Sequence, residues 1–321
     1  MQRLKNWQLF AVCVLTWATT WHAVTYQITP IAPEVAVALR FGLAGALVLL
    51  VCLWQGRSLR FPMRTHALLA FQGAFLYGVS YLCVYYAERH VASGLVAVGY
   101  SASPLITGLG ARVLFGIPIG LRFVMGGVLG LAGVALIFLP EFGKTTTGGH
   151  VALGAAFTVA SVFLSAVGSL AASRNIKAGL PFWPALGFGM LYGGVTSLLI
   201  ALGRGQSFGL PSAASWWFTL LYLILAGSVL TFACFLTLQD RIGPGPTGSI
   251  GVMTPILALI VSIVLEGFRP DLFTAAGASL AVLGNALMLR PGRRTSPRVS
   301  AAGPGQVRWP VARPAEVTPD D

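Results

Sequence analysis

One apolar segment near residue 80 carries a row of aromatic and polar side chains. Tyr77, Ser80, Tyr81, Tyr85 and Glu88 recur at helical spacing, so they share one face of a helix. Tyrosine rings can stack on a small organic molecule while their hydroxyls hydrogen-bond it, which favours a ligand-binding wall. Core packing of the same rings would give the same pattern, so both interpretations stay open.

Similar polar groups recur in other apolar segments. Counting apolar segments from the N-terminus, a stripe of Trp side chains lies in the first segment, and hydroxyl side chains lie in the fourth and ninth. Serines at i, i+4 and i+8 lie in the sixth segment. Such groups predict a polar interior lining, although serines are as common at close helix contacts. The further candidate substrate contacts are Trp17, Trp21, Tyr100, Ser103, Ser165 and Ser249.

Arg40 is the one charged residue well inside an apolar segment, about 10 Å from the segment's end. It could hold a ligand carboxylate, pair with Glu88 or extend towards water, and the pair with Glu88 is the favoured interpretation. Glu88 and Glu266 are the candidates for coupling to a proton. His22 fits a structural histidine better than a proton carrier.

Pro104 and Pro255 each lie inside an apolar segment, where a proline removes a backbone donor and bends the helix. They are predicted hinges.

Several kinds of chemistry find no support in the residue pattern. His, Cys, Asp and Glu form no cluster, so the sequence predicts no metal, no cofactor and no catalytic site. The net charge of +12 comes from scattered loops and the C-terminal region, not from a basic face with aromatics, so nucleic acid is not an expected partner.

The amino-acid composition indicates the class of protein to which these residues belong. Only 9% of the 321 residues are charged and 56% are hydrophobic, which predicts an all-α integral membrane protein. Ten transmembrane helices are predicted, near 8–26, 34–54, 67–87, 91–115, 122–140, 151–173, 182–203, 213–239, 245–265 and 271–290. Residues 292–321, rich in Pro, Gly and Arg, are predicted to be a disordered cytoplasmic tail.

Basic residues alternate between the loops. With the N-terminus inside, sixteen Lys and Arg lie on the cytoplasmic side and four on the other, which predicts that both termini are cytoplasmic.

The chain matches itself at a constant offset of 151 residues. Pro30 falls on Pro181, Gly94 on Gly245 and Pro104 on Pro255. Residues 1–145 and 146–291 therefore form two repeats of five helices. Because five is odd, the second repeat enters the membrane from the opposite side, and inverted repeats are typical of alternating-access transporters. The GxxxG runs at 126–130 and 189–193 predict close helix packing or a homodimer face.

The sequence resembles the drug/metabolite transporter superfamily, in particular its EamA-type ten-helix members. The resemblance covers residues 7–291 and depends on Trp17, VALRFGLAGALVL (36–48), and SASPLITGL (101–109) with its counterpart VMTPILALI (252–260). The family often has a Glu after the fourth and ninth helices. Here Glu266 matches the second position and Phe115 replaces the first.

The resemblance implies secondary transport in the cell inner membrane, often export of amino acids or other metabolites. With only Arg40 available, an uncharged, zwitterionic or aromatic substrate is expected. The alternatives are an organophosphate or nucleotide-sugar antiporter of the same superfamily and, from another class, a membrane scaffold or a membrane-embedded enzyme.

Overall fold

The computed structural model describes residues 4–29, 31–116, 118–142, 148–242, 247 and 250–289. Within these ranges the chain forms ten helical segments and no strand. They are α1 (Asn6–Thr25), α2 (Pro33–Trp54), α3 (Met63–Glu88), α4 (Ser93–Phe115), α5 (Leu121–Phe142), α6 (Gly148–Lys177), α7 (Phe182–Gly203), α8 (Ala214–Ile242), α9 (Ile250–Leu265) and α10 (Leu272–Leu289). Ser249 and the predicted tail lie outside the described residues.

The helices have the length and composition of membrane spans. Within the described residues, seven are long and apolar enough to cross a bilayer, and α9 and α10 contribute shorter apolar helices. The remaining helix, α1, is 20 residues long but carries polar side chains such as Thr20 and His22. These lower its hydropathy and are at least partly covered by neighbouring helices. The predicted all-α membrane fold is confirmed.

Close glycine contacts between α5 and α10 reveal the symmetry of the two halves. A Cβ atom at Gly126 would lie 2.4 Å from the Gly284 carbonyl oxygen, and one at Gly133 would lie 2.5 Å from the Gly277 carbonyl oxygen. Residue numbers rise along one helix and fall along the other, so the helices are antiparallel. The repeat offset converts Gly126–Gly284 into Gly277–Gly133, so the two contacts are symmetry equivalents. Equivalent helices that pack antiparallel are related by a two-fold axis across the bundle, as an inverted repeat requires.

Other contacts follow the same two-fold relation. α2 packs on its repeat equivalent α7, α1 contacts α9, and α6 contacts α4 in the corresponding way. Gly116 and Gly267, one offset apart, follow α4 and α9 with φ angles of 66° and 67°. Only glycine adopts this left-handed geometry without steric cost, and it ends both helices at equivalent points.

Two π-helical segments interrupt α3 and α8 at equivalent positions. They span Ala74–Val79 and Leu223–Leu230, where the wider turn removes regular backbone hydrogen bonds. Ser80 donates to the Leu76 carbonyl at 2.9 Å, and Thr231 donates to the Ala226 carbonyl at 2.6 Å. Ser80 and Thr231 are also one repeat offset apart, so both halves stabilise the π segment with a hydroxyl at the same position.

Contacts between loops and helix ends agree with the predicted division of the loops between the two ends of the bundle. Arg89 donates to the carbonyl oxygens of Ile28 and Ile31 at one end of the bundle. At the opposite end, Arg241 donates to the Leu4 carbonyl at 2.7 Å. The assignment of these two ends to compartments remains a prediction.

Both GxxxG runs are used inside the bundle. The run at 126–130 packs on Gly284 of α10, and the run at 189–193 packs on Gly73 of α3. Of the two predicted roles, these contacts match close packing within the chain. A homodimer remains an untested prediction.

We expect Gly133→Ala to lower the melting temperature of the protein in detergent. The new Cβ would meet the backbone of Gly277 and Ala281 at 2.5 Å, forcing the helices apart at a cost of about 1–3 kcal/mol. Gly130→Ala is the matched control on the same helix, because a Cβ there meets no atom within 4 Å. Equal melting temperatures for the two variants would contradict the α5–α10 contact.

Candidate functional site

Aromatic rings from four helices meet in the interior of the bundle. The ring centroid of Phe41 lies 5.4 Å from that of Tyr77 and 4.6 Å from that of Tyr81. Phe232 lies 4.9 Å from Tyr77 and 5.4 Å from Trp17. We call these five residues the aromatic cluster. The structure therefore brings together three predicted site residues and adds Phe41 and Phe232, which have no polar atom to mark them in an apolar sequence.

Arg40 lies beside the aromatic cluster. Its Cζ atom is 4.8 Å from the ring centroid of Tyr81 and 4.9 Å from that of Phe41, which allows cation–π attraction. Its Nε donates to the hydroxyl of Ser228 in α8 at 3.0 Å. The side chain is 1% exposed, so it does not extend to water.

The favoured interpretation of Arg40 as the partner of Glu88 needs revision. Glu88 is buried, and neither of its carboxylate oxygens has a hydrogen-bond partner. Arg40 Nη1 also has none. The two groups interact electrostatically without forming a direct ion pair, and Arg40 Nε donates to Ser228 across the α2–α8 contact.

Trp21, Tyr100 and Ser165 extend the same interior towards α4 and α6. The rings of Trp21 and Tyr100 lie 5.1 Å apart and pack, like Trp17 and Tyr81, on the largest apolar core. Tyr100 also interacts with Ser161 and Ser165. The indole nitrogens of Trp17 and Trp21 are buried donors without a partner.

The other candidate residues differ in their surroundings. Ser80 uses its hydroxyl on its own helix, as described above, and is fully buried. Ser103 is only partly buried and begins the α-helical part of α4 that follows a 3₁₀ turn at Tyr100–Ala102.

The two predicted hinge prolines are not equivalent in backbone structure. Pro104 is the second residue of the α-helix that follows the 3₁₀ turn of α4, whereas Pro255 lies inside a continuous α-helix across the described part of α9. Pro255 lines a small cleft that it shares with Ser101 and Asn285. Tyr100, the first residue of the 3₁₀ turn, corresponds to Gly251 in the second repeat, so its ring has no counterpart there.

Charged links close one end of the bundle. Arg204, which directly follows α7, and the hydroxyl of Tyr86 both donate to Glu34 Oε1, at 2.8 Å and 2.7 Å. Glu34 is fully buried although it lies in the first turn of α2. Because Glu34 and Arg204 belong to different repeats, this ion pair joins the two halves.

A second link at the same end is centred on Glu266. Its Oε1 accepts from Ser93 and lies 3.0 Å from His22 Nδ1, and its Oε2 accepts from Ser262 at 2.7 Å. Burial alone would raise the pKa of Glu266, but the hydrogen bonds from Ser93, Ser262 and His22 outweigh it and hold the pKa below its usual value. His22 therefore has a partner, as expected of a structural histidine. We call the Glu34–Arg204 and His22–Glu266 contacts the charged latch.

Comparison with known proteins decides the family. The EamA-like transporter family model matches residues 6–139 and 152–290, which correspond to the two repeats. The chain belongs to the EamA-like transporter family. The predicted resemblance is confirmed, and this EamA-like chain carries the family domain twice.

Named relatives agree with this assignment, and a solved structure shares the fold. The uncharacterized inner membrane transporter YedA of Escherichia coli K12 is 27% identical over 81% of this chain and 82% of its own length. Protein PecM of Dickeya dadantii is 24% identical over 82% of this chain and 84% of its own length. A crystal structure covering 87% of this chain and 94% of its own aligns with a TM-score of 0.65 at 20% identity, which supports the fold.

We expect Glu266→Gln to lower the melting temperature at pH 7 by an amount that shrinks in acid. The folded pKa of Glu266 lies below its unfolded value, so its ionisation stabilises the fold at neutral pH. That contribution, on the order of 1 kcal/mol, is lost as pH falls through the lowered pKa. Asp240→Asn, which neutralises an exposed carboxylate, is the control. A difference that stays constant from pH 7 into the acid range would contradict this role.

Proposed function

We propose that this EamA-like protein exports a small metabolite across the inner membrane by alternating access, with both termini in the cytoplasm. The observation that carries the proposal is a two-fold related pair of antiparallel halves that enclose a buried aromatic and polar interior. Two halves related in this way can exchange conformations, which opens one interior site to each side in turn. Amino acids and related uncharged, zwitterionic or aromatic compounds are the proposed substrates.

The charged latch supports a rocking motion between the halves. Glu34 and His22 belong to the first repeat, and their partners Arg204 and Glu266 belong to the second. Opening this end would separate both pairs and expose them to water, which solvates charged groups well. The excess of basic residues in the other loops supports an outward position for the latch.

The opposite end has weaker links at equivalent positions. His22 and Glu88 correspond to Ser173 and Gln239, which share a neutral hydrogen bond of 2.7 Å. Glu266 corresponds to Phe115, and Arg204 corresponds to Leu53. The charged latch therefore has no ionic counterpart at these equivalent positions, which supports closure at the latch end in the proposed cycle.

The wall of the proposed site can be tested by transport. Proteoliposomes containing the full-length protein should exchange at least one member of a panel of radiolabelled amino acids and related metabolites. Tyr81→Ala should lower the initial rate at least tenfold, because Tyr81 contacts both Phe41 and Arg40.

The control is Phe218→Ala, which removes an aromatic ring that is 72% exposed on the outside of α8. Equal losses in the two variants would show that Tyr81 acts only through general packing. Failure of the wild-type protein to move any solute would refute the transport proposal.

A further inference from the structure

Four exposed basic residues lie at the end of the bundle opposite the charged latch. α4 begins beside the latch, where Ser93 donates to Glu266, so the C-terminus of α4 lies at the opposite end. The four residues, which we call the basic cluster, are Arg112 in the last turn of α4, Arg122 at the start of α5, and Arg174 and Lys177 in the last turn of α6.

Contacts between α4 and α6 bring the ends of these helices together. A Cβ atom at Gly110 would overlap with Leu170 Cδ1, and Lys177 Nζ lies 4.7 Å from the ring centroid of Phe115. Residue numbers rise together along the two helices, so α4 and α6 are parallel and end side by side. Lys177 therefore reaches the last turn of α4, which also carries Arg112.

α5 brings a further cation to the same place. A Cβ atom at Gly108 would overlap with the ring of Phe123, the residue that follows Arg122. Arg112 lies one turn beyond Gly108 on α4. Arg112 and Arg122 therefore flank the short connection between α4 and α5.

The basic cluster has no anionic partner in the part of the chain that the structure describes. None of its four side chains forms a hydrogen bond or an ion pair there, and Asp240, at the same end of the bundle, does not pair with them. A helix C-terminus favours a nearby cation, but Arg122 lies at a helix N-terminus, where the dipole disfavours one. Like charges on three adjoining helix ends therefore favour the binding of an anion.

The two-fold relation between the repeats does not account for the basic cluster. Arg112 corresponds to Ile263 and Arg122 to Phe273, so the equivalent helix ends of the second repeat lack both charges. The shared fold thus forms equally without these cations, which points to a role beyond helix formation.

Exposed apolar side chains adjoin the basic cluster. Val113, next to Arg112, is 82% exposed, and Leu121, next to Arg122, is 75% exposed. In a membrane-spanning protein such side chains contact lipid acyl chains, which are as apolar as leucine. A molecule with an anionic head and hydrocarbon chains would contact both surfaces, whereas free phosphate would contact only the cations.

We propose that the ends of α4, α5 and α6 form a binding site for an anionic phospholipid such as phosphatidylglycerol. Its phosphate accepts hydrogen bonds from the basic cluster, where an arginine can bind it through two N–H groups, and its acyl chains pack against Val113 and Leu121. Arg112 and Arg122 belong to the first repeat, and Arg174 and Lys177 belong to the second. The bound lipid therefore links the two halves at the end opposite the latch, and this binding does not depend on the proposed transport function.

The experiment measures lipid binding to the purified full-length protein in a neutral detergent by native mass spectrometry. Dioleoyl phosphatidylglycerol is compared with dioleoyl phosphatidylcholine, which has the same acyl chains and no net charge. The first bound phosphatidylglycerol should dissociate at a concentration about fivefold lower or less, since one basic residue near an anionic headgroup contributes about that factor. A smaller preference in the wild-type protein would refute the site.

A double variant locates the binding. Arg112→Gln with Lys177→Gln should bring the affinities for the two lipids to within about twofold of each other. The matched control is Arg60→Gln with Arg64→Gln, which removes two exposed positive charges from the α2–α3 connection at the same end of the bundle and should keep the full preference. If Arg112→Gln with Lys177→Gln does not fold, Arg122→Gln with Arg174→Gln makes the same test.

Two further outcomes would overturn the proposal. Equal loss of preference in the cluster variant and in the control would show that the lipid responds only to the total charge of this end. Displacement of phosphatidylglycerol by an equal concentration of inorganic phosphate would show that the cations bind free phosphate and that the apolar side chains contribute nothing.

Discussion

A lipid bilayer offers no water to polar groups, so each one must find a partner inside the protein or lie where a ligand or solvent can reach it. Most polar side chains in this bundle obey that constraint within their own helix or with an adjacent one. Ser80 and Thr231 bond to carbonyls that the π segments release. Arg40, Tyr77, Tyr85 and Glu88 are among the exceptions, because each retains an unpartnered atom, and others such as Gln239 and Asn285 lie elsewhere in the bundle. The same constraint that shapes the fold thus marks the buried polar groups that remain available to a ligand or to water.

The two-fold relation explains the architecture, and the departures from it define the chemistry. Glycine contacts, π segments and helix ends repeat at an offset of 151 residues. The charges do not. Arg40 corresponds to Leu191 and Glu266 to Phe115, so neither charge is repeated at the equivalent position of the other half. A symmetric backbone can take up two equivalent shapes, while asymmetric side chains set which shape is favoured and what occupies the interior.

Sequence reasoning predicted which of the candidate residues lie together in the interior better than it predicted their contacts. Trp17, Tyr77 and Tyr81 meet as expected because helical spacing and the avoidance of lipid by polar groups point them inward. Phe41, Phe232 and Ser228 went unrecognised because nothing in an apolar helix distinguishes a residue at the centre from one facing lipid. The expected direct Arg40–Glu88 ion pair is absent, and Arg40 Nε donates to Ser228, which lies 188 residues away in sequence.

The amino-acid sequence alone was sufficient to determine the membrane class, the ten helices and the inverted repeat. These follow from composition, from the length of apolar runs and from the spacing of Gly and Pro, all of which act locally or by simple periodicity. Tertiary structure alone decided which polar atoms remain unpaired, that Glu34 is buried against Arg204, and that His22 joins Glu266. Those outcomes depend on which helices lie side by side and at what depth, and many arrangements of ten apolar helices satisfy the same hydrophobic pattern.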